Sequence, residues 1–453
     1  MPQLRDSGTA PARTEPYHPP DGRFCRIFGV ETEYGVAVTG AERPVDAGQV
    51  AMTMFQPIVS RSRSTNTYLP MAHVCIWTSD PTPNTATAEA RDPREALAQD
   101  LAGEHVMRNL ALKAQRKLRE SYGAHATIHV FKNKRRLRRP RLRLPRKLPG
   151  PPLRAVGDHR TPAAAVPHHP PAVHRCRPHD PGRLPDHPAR GLPGRGRLLG
   201  HHPLPPDGHT RDEPHADPDS FRRLHVIIGD SNRSQWSTWM KLAVTHLVLC
   251  AIEDAFRHGV PSGFEQYAFA DPAAANRTVS RFLDNPRAEL TLESGESVSA
   301  LGLQRRYYAA VKAFIETHGD ALASSLPATT IDTIMGEWSR VLDALERGAY
   351  DALADRVDWA AKKRLFDALK RRRPDAPSPR WNSLELDYHD IANGRLYGSL
   401  VARNQMRELL TGDNVEYAVH NPPTDTRAAL RGRFVDAALR RTPSSPPTGP
   451  TWP

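Results

Sequence analysis

The pattern of apolar and polar positions predicts a chain that begins with strands and ends in helices. Residues 26–38 and 125–132 alternate apolar and polar side chains with the period of two expected of half-buried strands. Residues 93–122 instead space their apolar side chains for one broad helix face. Helical spacing returns later, over residues 238–258, 300–318 and 330–347, from residue 359 onward and over 428–439. This order predicts the α+β class.

Two acidic residues share one face of the first predicted strand. Glu31 and Glu33 are two positions apart, so both side chains point the same way. They form either a solvated face or a pair of ligands for a divalent metal, which prefers oxygen donors. The pattern alone leaves both interpretations open.

A second polar cluster precedes an apolar stretch in the middle of the chain. Residues 210–217 are dense in ionisable side chains, and residues 221–228 then predict a short buried strand. The strand ends in the turn sequence Gly229-Asp230-Ser231-Asn232. We interpret this region either as the rim of a pocket or as an ordinary loop.

Residues 134–209 differ in composition from the rest of the chain. They hold 17 Lys and Arg against 4 Asp, with no Glu and no Phe, Trp or Tyr. The whole chain has 63 basic and 50 acidic residues, so this segment alone accounts for the net charge of +13. A nucleic-acid binder interleaves aromatic residues or places its basic residues on a helix face, and this proline-rich segment does neither.

Two explanations of this segment remain open. It is either a disordered basic linker, because its composition buries too little apolar surface to fold, or GC-rich coding sequence translated out of frame. Codons chosen for residues 135–150 and read one base later give VDSAGHAYGCHENYL. The same test yields NGARLYLDVGPHP from residues 71–83 and HAEFSADWP from residues 441–450.

Other features narrow the class of protein. No run of 18 apolar residues predicts a membrane span, and residues 1–22 lack the apolar core of a secretory signal and are typical of a disordered leader. The four cysteines show no paired spacing, which indicates neither a disulfide framework nor a zinc site. We therefore expect a cytoplasmic protein with no membrane partner and no nucleic-acid partner.

Four longer motifs resemble the Pup ligase and Pup deamidase family. They are RIFGVETEYGV, TRDEPHADPDSFRRLHVIIGDSN, LDYHDI and NPPTDTRAALRGRF, which together span residues 26–434. The recoded texts NGARLYLDVGPHP and YGCHENYL resemble further motifs of this family, at the positions where it carries them. The short stretch at residues 35–70 is similar to the ligase branch, whereas NPPTDTRA is similar to the deamidase branch.

The resemblance implies an α+β fold related to glutamine synthetase, with a curved antiparallel sheet and a small C-terminal domain. We accordingly expect residues 23–133 and 210–350 to form the ligase domain and residues 351–440 a helical C-terminal part. Residues 134–209 would be out of frame or disordered, and residues 441–453 an out-of-frame tail.

The resemblance also implies an activity. The enzyme would use ATP and Mg²⁺ to join the side-chain carboxylate of the C-terminal glutamate of Pup to substrate lysines, through a glutamyl phosphate. Its partners would be Pup, lysine-bearing proteins and, indirectly, the proteasome. The alternatives are a Pup deamidase of the same family, a non-catalytic Pup-binding protein and a basic nucleic-acid-binding protein.

Residue roles follow the same resemblance. Glu31 would bind the metal, Thr87 would contact the nucleotide, and Arg223 and His225 would lie near its phosphates. Other family residues are replaced. Residues 74–78 read VCIWT where the family has an ATP-binding Arg, a metal-binding Tyr and the general-base Asp, and Asn84 replaces a second metal-binding Glu. No catalytic residue is therefore intact, since the general base expected near Trp77-Thr78 is lost, and we expect this chain as written to be inactive.

Overall fold

The computed structural model describes most of the sequence outside its two ends and its basic segment. The described residues are 24–62, 66–77, 83–132, 209–211, 223–226, 231–279, 288–374 and 378–441. The predicted leader, the basic segment apart from His209, and the predicted out-of-frame tail apart from Arg441 lie outside these ranges.

A four-stranded antiparallel sheet forms the N-terminal part. Its strands lie in the order β1 (Glu31–Glu33), β5 (Pro83–Ala86), β4 (Val74–Trp77) and β3 (Asn66–Tyr68). A helix, α1 (Ala47–Ser62), packs beside it on β3.

The predicted strand at residues 26–38 is divided in two, so the expectation of one continuous strand is wrong. Strand β1 pairs with β5, whereas β2 (Gly35–Thr39) pairs with β6 (Thr127–Phe131) in a separate two-stranded sheet. The chain changes partner at Tyr34, whose side chain is fully buried. The alternation of side chains continues through this change, because both strands bury one face.

The longest helix confirms the prediction for residues 93–122. Helix α2 runs from Pro93 to Tyr122, and the side chain of Asp92 accepts hydrogen bonds from the first backbone N–H groups. A capping aspartate followed by proline at the first helical position is a strong start signal. The buried face of α2 packs against β6, α1 and the helical half of the chain.

The second half of the described chain is mostly helical. Its main elements are α3 (Gln235–Arg257), α4 (Pro272–Val279), α5 (Ala300–Leu322), α6 (Ala328–Glu346) and α7 (Asp358–Arg372), with a small hairpin of β9 (Glu289–Thr291) and β10 (Ser297–Ser299). Trp236 and Trp338 are almost fully buried in their shared core. Helix α5 extends past its predicted end at His318, where non-helical backbone angles kink it.

The C-terminal helices return to the strands. They are α8 (Ser378–His389), α9 (Leu396–Ala402), α10 (Gly412–His420) and α11 (Ala428–Arg441). After α8, the buried carboxylate of Asp390 accepts hydrogen bonds from the Val130 amide and pairs with His129 Nδ1 at 2.8 Å. Helices combined with antiparallel sheets confirm the α+β class. None of the described helices is long and apolar enough to cross a membrane.

Candidate functional site

The four-stranded sheet has one buried face and one open face. Along β1, Thr32 is buried while Glu31 and Glu33 are exposed. Strand β5 alternates in the same way, with Pro83 and Thr85 buried. The two glutamates therefore lie on the open face, as the period of two predicts.

The strand register brings the expected site positions together on this open face. Glu31 lies opposite Ala86, and Glu33 lies opposite Asn84. On the next strand, Val74 aligns with Ala86 and Ile76 aligns with Asn84. Directly opposed residues point to the same face, so positions 74, 76 and 84 lie on the face that carries Glu31.

These are the positions at which the resemblance implies the family's Arg, Tyr and second Glu. The expected general base belongs two residues beyond position 76, at Thr78, which lies outside the described residues. The alternating spacing of Arg and Tyr in the family motif thus matches one face of β4. The motif resemblance singled out the positions, and the register shows that positions 74, 76 and 84 are neighbours on one face.

The residues now present on this face do not suit a magnesium site. Val74 and Ile76 offer no polar atom, and Asn84 supplies an amide oxygen, Oδ1, which is buried without a hydrogen-bond partner among the described residues. No group of three or more His, Cys, Asp or Glu in the described residues is arranged to hold a metal. The metal role of Glu31 therefore stays a prediction.

Thr87 lies next to the site strand, immediately after β5. Its Oγ1 accepts a hydrogen bond from the Val30 amide at 3.0 Å, and its own amide donates to the Val30 carbonyl at 3.0 Å. This double contact places Thr87 beside the residue that precedes Glu31. The structure therefore brings these two predicted site residues together, while nucleotide contact by Thr87 remains a prediction.

Arg223 and His225 lie elsewhere in the strand topology. They occupy alternate positions of β8 (Arg223–His225), which pairs only with β7 (His209–Arg211) among the described strands. The structure does not join this hairpin to the four-stranded sheet, and the predicted phosphate contacts remain predictions. Val226 is 54% exposed, so the expectation of a buried strand through residues 221–228 is wrong at this position.

A buried ionic network contacts β1 on the buried face of the four-stranded sheet. Thr32 Oγ1 donates to Asp100 Oδ1 at 3.1 Å, and Lys132 Nζ donates to Asp100 Oδ2 at 2.6 Å. Lys132 also lies 3.3 Å from Glu104, which pairs in turn with Arg233. Burial alone would lower the pKa of Lys132, but the two carboxylates outweigh burial and raise it. Sequence reasoning missed this network, because its members lie far apart in the chain.

Arg431 of α11 and Arg427, which immediately precedes this helix, bind a glutamate near Thr87. Glu89 Oε1 accepts from Arg427 Nε at 2.7 Å and from an Arg431 guanidinium nitrogen at 2.9 Å, while the second Arg431 nitrogen donates to Glu89 Oε2. We call these three residues the arginine clamp. Burial would raise the pKa of Glu89, but the guanidinium groups lower it to about 2. Sequence reasoning missed the clamp as well.

Comparison with known proteins identifies the family to which this chain belongs. The protein-family model for the Pup-ligase protein matches residues 26–135 and 207–445, leaving residues 136–206 between the matched ranges. The two matched ranges cover well over half of the chain. The residues between the two matched ranges all fall inside the segment that composition had set apart.

Curated relatives and solved structures agree with this match. A Pup–protein ligase of Bifidobacterium longum (strain NCC 2705) is 75% identical, over 97% of this chain and 91% of its own length. A Pup–protein ligase of Bifidobacterium dentium is 47% identical, over 97% and 90%.

Two solved structures share the fold. The ligase PafA in complex with Pup superposes with a TM-score of 0.69 at 26% identity, covering 92% of this chain and 84% of that one. PafA in complex with ADP gives a TM-score of 0.62 at 26% identity, covering 92% and 88%. The resemblance seen in the sequence motifs is confirmed, and the chain belongs to the Pup-ligase family.

Proposed function

We propose that this protein is an ATP-dependent Pup–protein ligase, and that its active site is the open face of the four-stranded sheet. The observation that carries the proposal is the register of β1, β5 and β4, which gathers Glu31 and positions 74, 76 and 84 on one face. Similarity to a Pup–protein ligase over 97% of the chain favours the ligase over the deamidase branch.

The proposed reaction solves a problem of leaving groups. A glutamate carboxylate is a poor electrophile, because attack by an amine would have to expel oxide. Transfer of the γ-phosphoryl group of ATP to the carboxylate gives a glutamyl phosphate and ADP. A lysine amine then attacks the acyl carbon, the C–O bond to phosphate breaks, and an isopeptide bond and inorganic phosphate result. The amine must lose a proton, because a lysine is mostly protonated near pH 7, and this requires a general base.

The protein's own residues would orient these reactants. In the proposal Glu31 binds the metal, Thr87 contacts the nucleotide, and an aspartate at position 78 accepts the lysine proton. Bound Mg²⁺ would neutralise phosphate charge, as in other phosphoryl transfers. We further propose a glutamine-synthetase-like architecture, phosphate contacts by Arg223 and His225, and a cytoplasmic role in marking proteins for the proteasome.

The chain as written lacks most of this apparatus, and we propose that shifted reading frames are the cause. Valine, isoleucine and asparagine stand on the open face where Arg, Tyr and Glu are expected. The stretch between the two matched ranges, residues 136–206, lies inside residues 134–209. Reading residues 71–83, 134–209 and those from 441 onward in the shifted frames defines the repaired chain.

The test is conjugation by the repaired chain. It is incubated with Pup, Mg²⁺, an acceptor protein and either ATP or no nucleotide, and conjugates are detected by mass. We expect a conjugate larger than the acceptor by one Pup, formed only with ATP. Removal of Pup from a conjugate without any ligation would assign the protein to the deamidase branch, and binding without turnover would indicate a non-catalytic relative.

A further inference from the structure

The arginine clamp joins two parts of the chain that are more than 300 residues apart. Arg431 lies in α11 and Arg427 immediately precedes it, whereas Glu89 follows β5. A further hydrogen bond of 2.8 Å runs from Thr426 Oγ1 to the Glu89 carbonyl oxygen. The carboxylate is 17% exposed and the Arg431 side chain 23% exposed, so water weakens this contact less than it weakens a surface pair.

The segment that carries Glu89 is hydrogen-bonded to the residues just before β1. Phe28 and Ala90 exchange two backbone hydrogen bonds, of 2.7 and 3.0 Å, and Thr87 makes its two contacts to Val30. Any shift of Glu89 therefore moves Thr87 and the backbone that leads into Glu31. The clamp is thereby connected to Thr87 and, through Val30, to Glu31.

Helix α11 also contacts β3 and the residues between β3 and β4. Arg431 donates to the Ala72 carbonyl at 3.0 Å, and its guanidinium lies 5.1 Å from the centre of the Tyr68 ring. At Gly432 an added Cβ would lie 2.5 Å from the Pro70 carbonyl oxygen, so only glycine permits this approach. The helix thus holds the segment before β4 and the segment after β5 at a fixed separation.

We propose that Arg427 and Arg431 are positioning residues for the nucleotide site, acting through Glu89 on Thr87 and Glu31. The guanidinium of Arg431 makes two parallel hydrogen bonds to the carboxylate, which fixes direction as well as distance. A lysine could supply the charge but not this paired geometry. The nucleotide part of this inference rests on the function proposed above.

The first readout is amide hydrogen exchange of the full chain without nucleotide. Arg431→Ala should speed exchange at residues 28–33 and 84–90 by about tenfold, as expected when a charge-assisted hydrogen bond is lost. Arg431→Lys should give an intermediate effect. The control is Arg306→Ala, because Arg306 makes a similar paired contact to Glu296 on the exposed surface. Unchanged exchange at these residues in Arg431→Ala overturns the proposal.

A second variant guards against global unfolding. If Arg431→Ala exchanges rapidly everywhere, Arg427→Ala is examined instead, because it removes only one hydrogen bond from Glu89. A local increase at residues 28–33 and 84–90 then supports the proposal, and the absence of a local increase overturns it.

The second readout is the dissociation constant of ADP, measured by calorimetry on the repaired chain and its variants, because the chain as written lacks the arginine expected to bind ATP. Arg431→Ala should weaken binding several-fold, Arg431→Lys should restore part of it, and the Arg306→Ala control should match the parent. If the parent binds ADP and Arg431→Ala binds it equally well, the clamp only stabilises the fold. That result overturns the positioning role. A parent that binds no ADP counts against the nucleotide site proposed above, while hydrogen exchange still decides the clamp.

Discussion

Replacing Lys132 with methionine is expected to destabilise the N-terminal part strongly. The lysine side chain is 1% exposed and lies between Asp100, 3% exposed, and Glu104. Methionine fills similar volume but carries no charge. The variant therefore leaves the Asp100 carboxylate buried without its cation, directly beneath the strand of Glu31 and Glu33.

The size of the effect follows from burial and from the contacts that remain. Removing one partner of a buried ion pair costs about 3–5 kcal/mol, because the other charge stays buried. Here Thr32 still donates to Asp100, and Arg233 still pairs with Glu104. We therefore expect a loss near the lower limit, about 3 kcal/mol.

The assay is native-state hydrogen exchange of amides in α2 and β6, which reports the local free energy of unfolding. The matched control is Lys363→Met, whose exposed partner Asp367 lies 2.5 Å away one helical turn later. That pair is worth only about 0.3–0.5 kcal/mol. The double variant Lys132→Met, Asp100→Leu should be less destabilised than Lys132→Met alone, because it removes the orphaned charge. Equal losses for Lys132→Met and Lys363→Met would refute the reasoning.

Three further predictions concern the clamp, the proposed metal ligand Glu31 and the contact made by Asp390. The folded pKa of Glu89, about 2 against an ordinary 4.5, means that its stabilisation is present above pH 4.5 and is lost as pH falls toward 2. Glu89→Gln should therefore lower the urea midpoint at pH 7 and have a much smaller effect near pH 2; an equal effect at both would contradict the clamp. In the repaired chain, Glu31→Gln should reduce the ligation rate by orders of magnitude without altering the circular dichroism spectrum, and a rate within about twofold would remove Glu31 from the metal site. Asp390→Ala should cost about 2 kcal/mol or more by urea unfolding, because it leaves the buried Val130 amide unpaired; a loss below about 0.5 kcal/mol would argue against this contact.

The helices were largely predictable because their signals are local. The apolar spacing of residues 93–122 placed α2 at the observed bounds, and the structure shows that Asp92 caps its first turn. Its packing neighbours could not be predicted in the same way. No sequence signal near Tyr34 indicates that the chain changes sheets, because β1 and β2 keep the same alternation of buried and exposed side chains.

The candidate site was predictable only in part. The period of two placed Glu31 and Glu33 on one face, and the motif resemblance singled out Thr87. The role of positions 74, 76 and 84 as neighbours became clear only from the strand register. The clamp and the network of Lys132 join residues that are distant in sequence, so no local pattern could indicate them.

The most direct test of the account is to compare ligation by this chain with ligation by its repaired forms. Three proteins are assayed with Pup, ATP, Mg²⁺ and an acceptor: the chain as written, the chain repaired only at residues 71–83, and the fully repaired chain. We predict no conjugate from the first, because it lacks the general base and the Tyr and Glu of the open face. The fully repaired chain should form conjugate. The chain repaired only at residues 71–83 should form none, because it still lacks the family motif expected within residues 134–209. Conjugate formed by the chain as written would contradict both the shifted reading frame and the placement of the active site on this sheet.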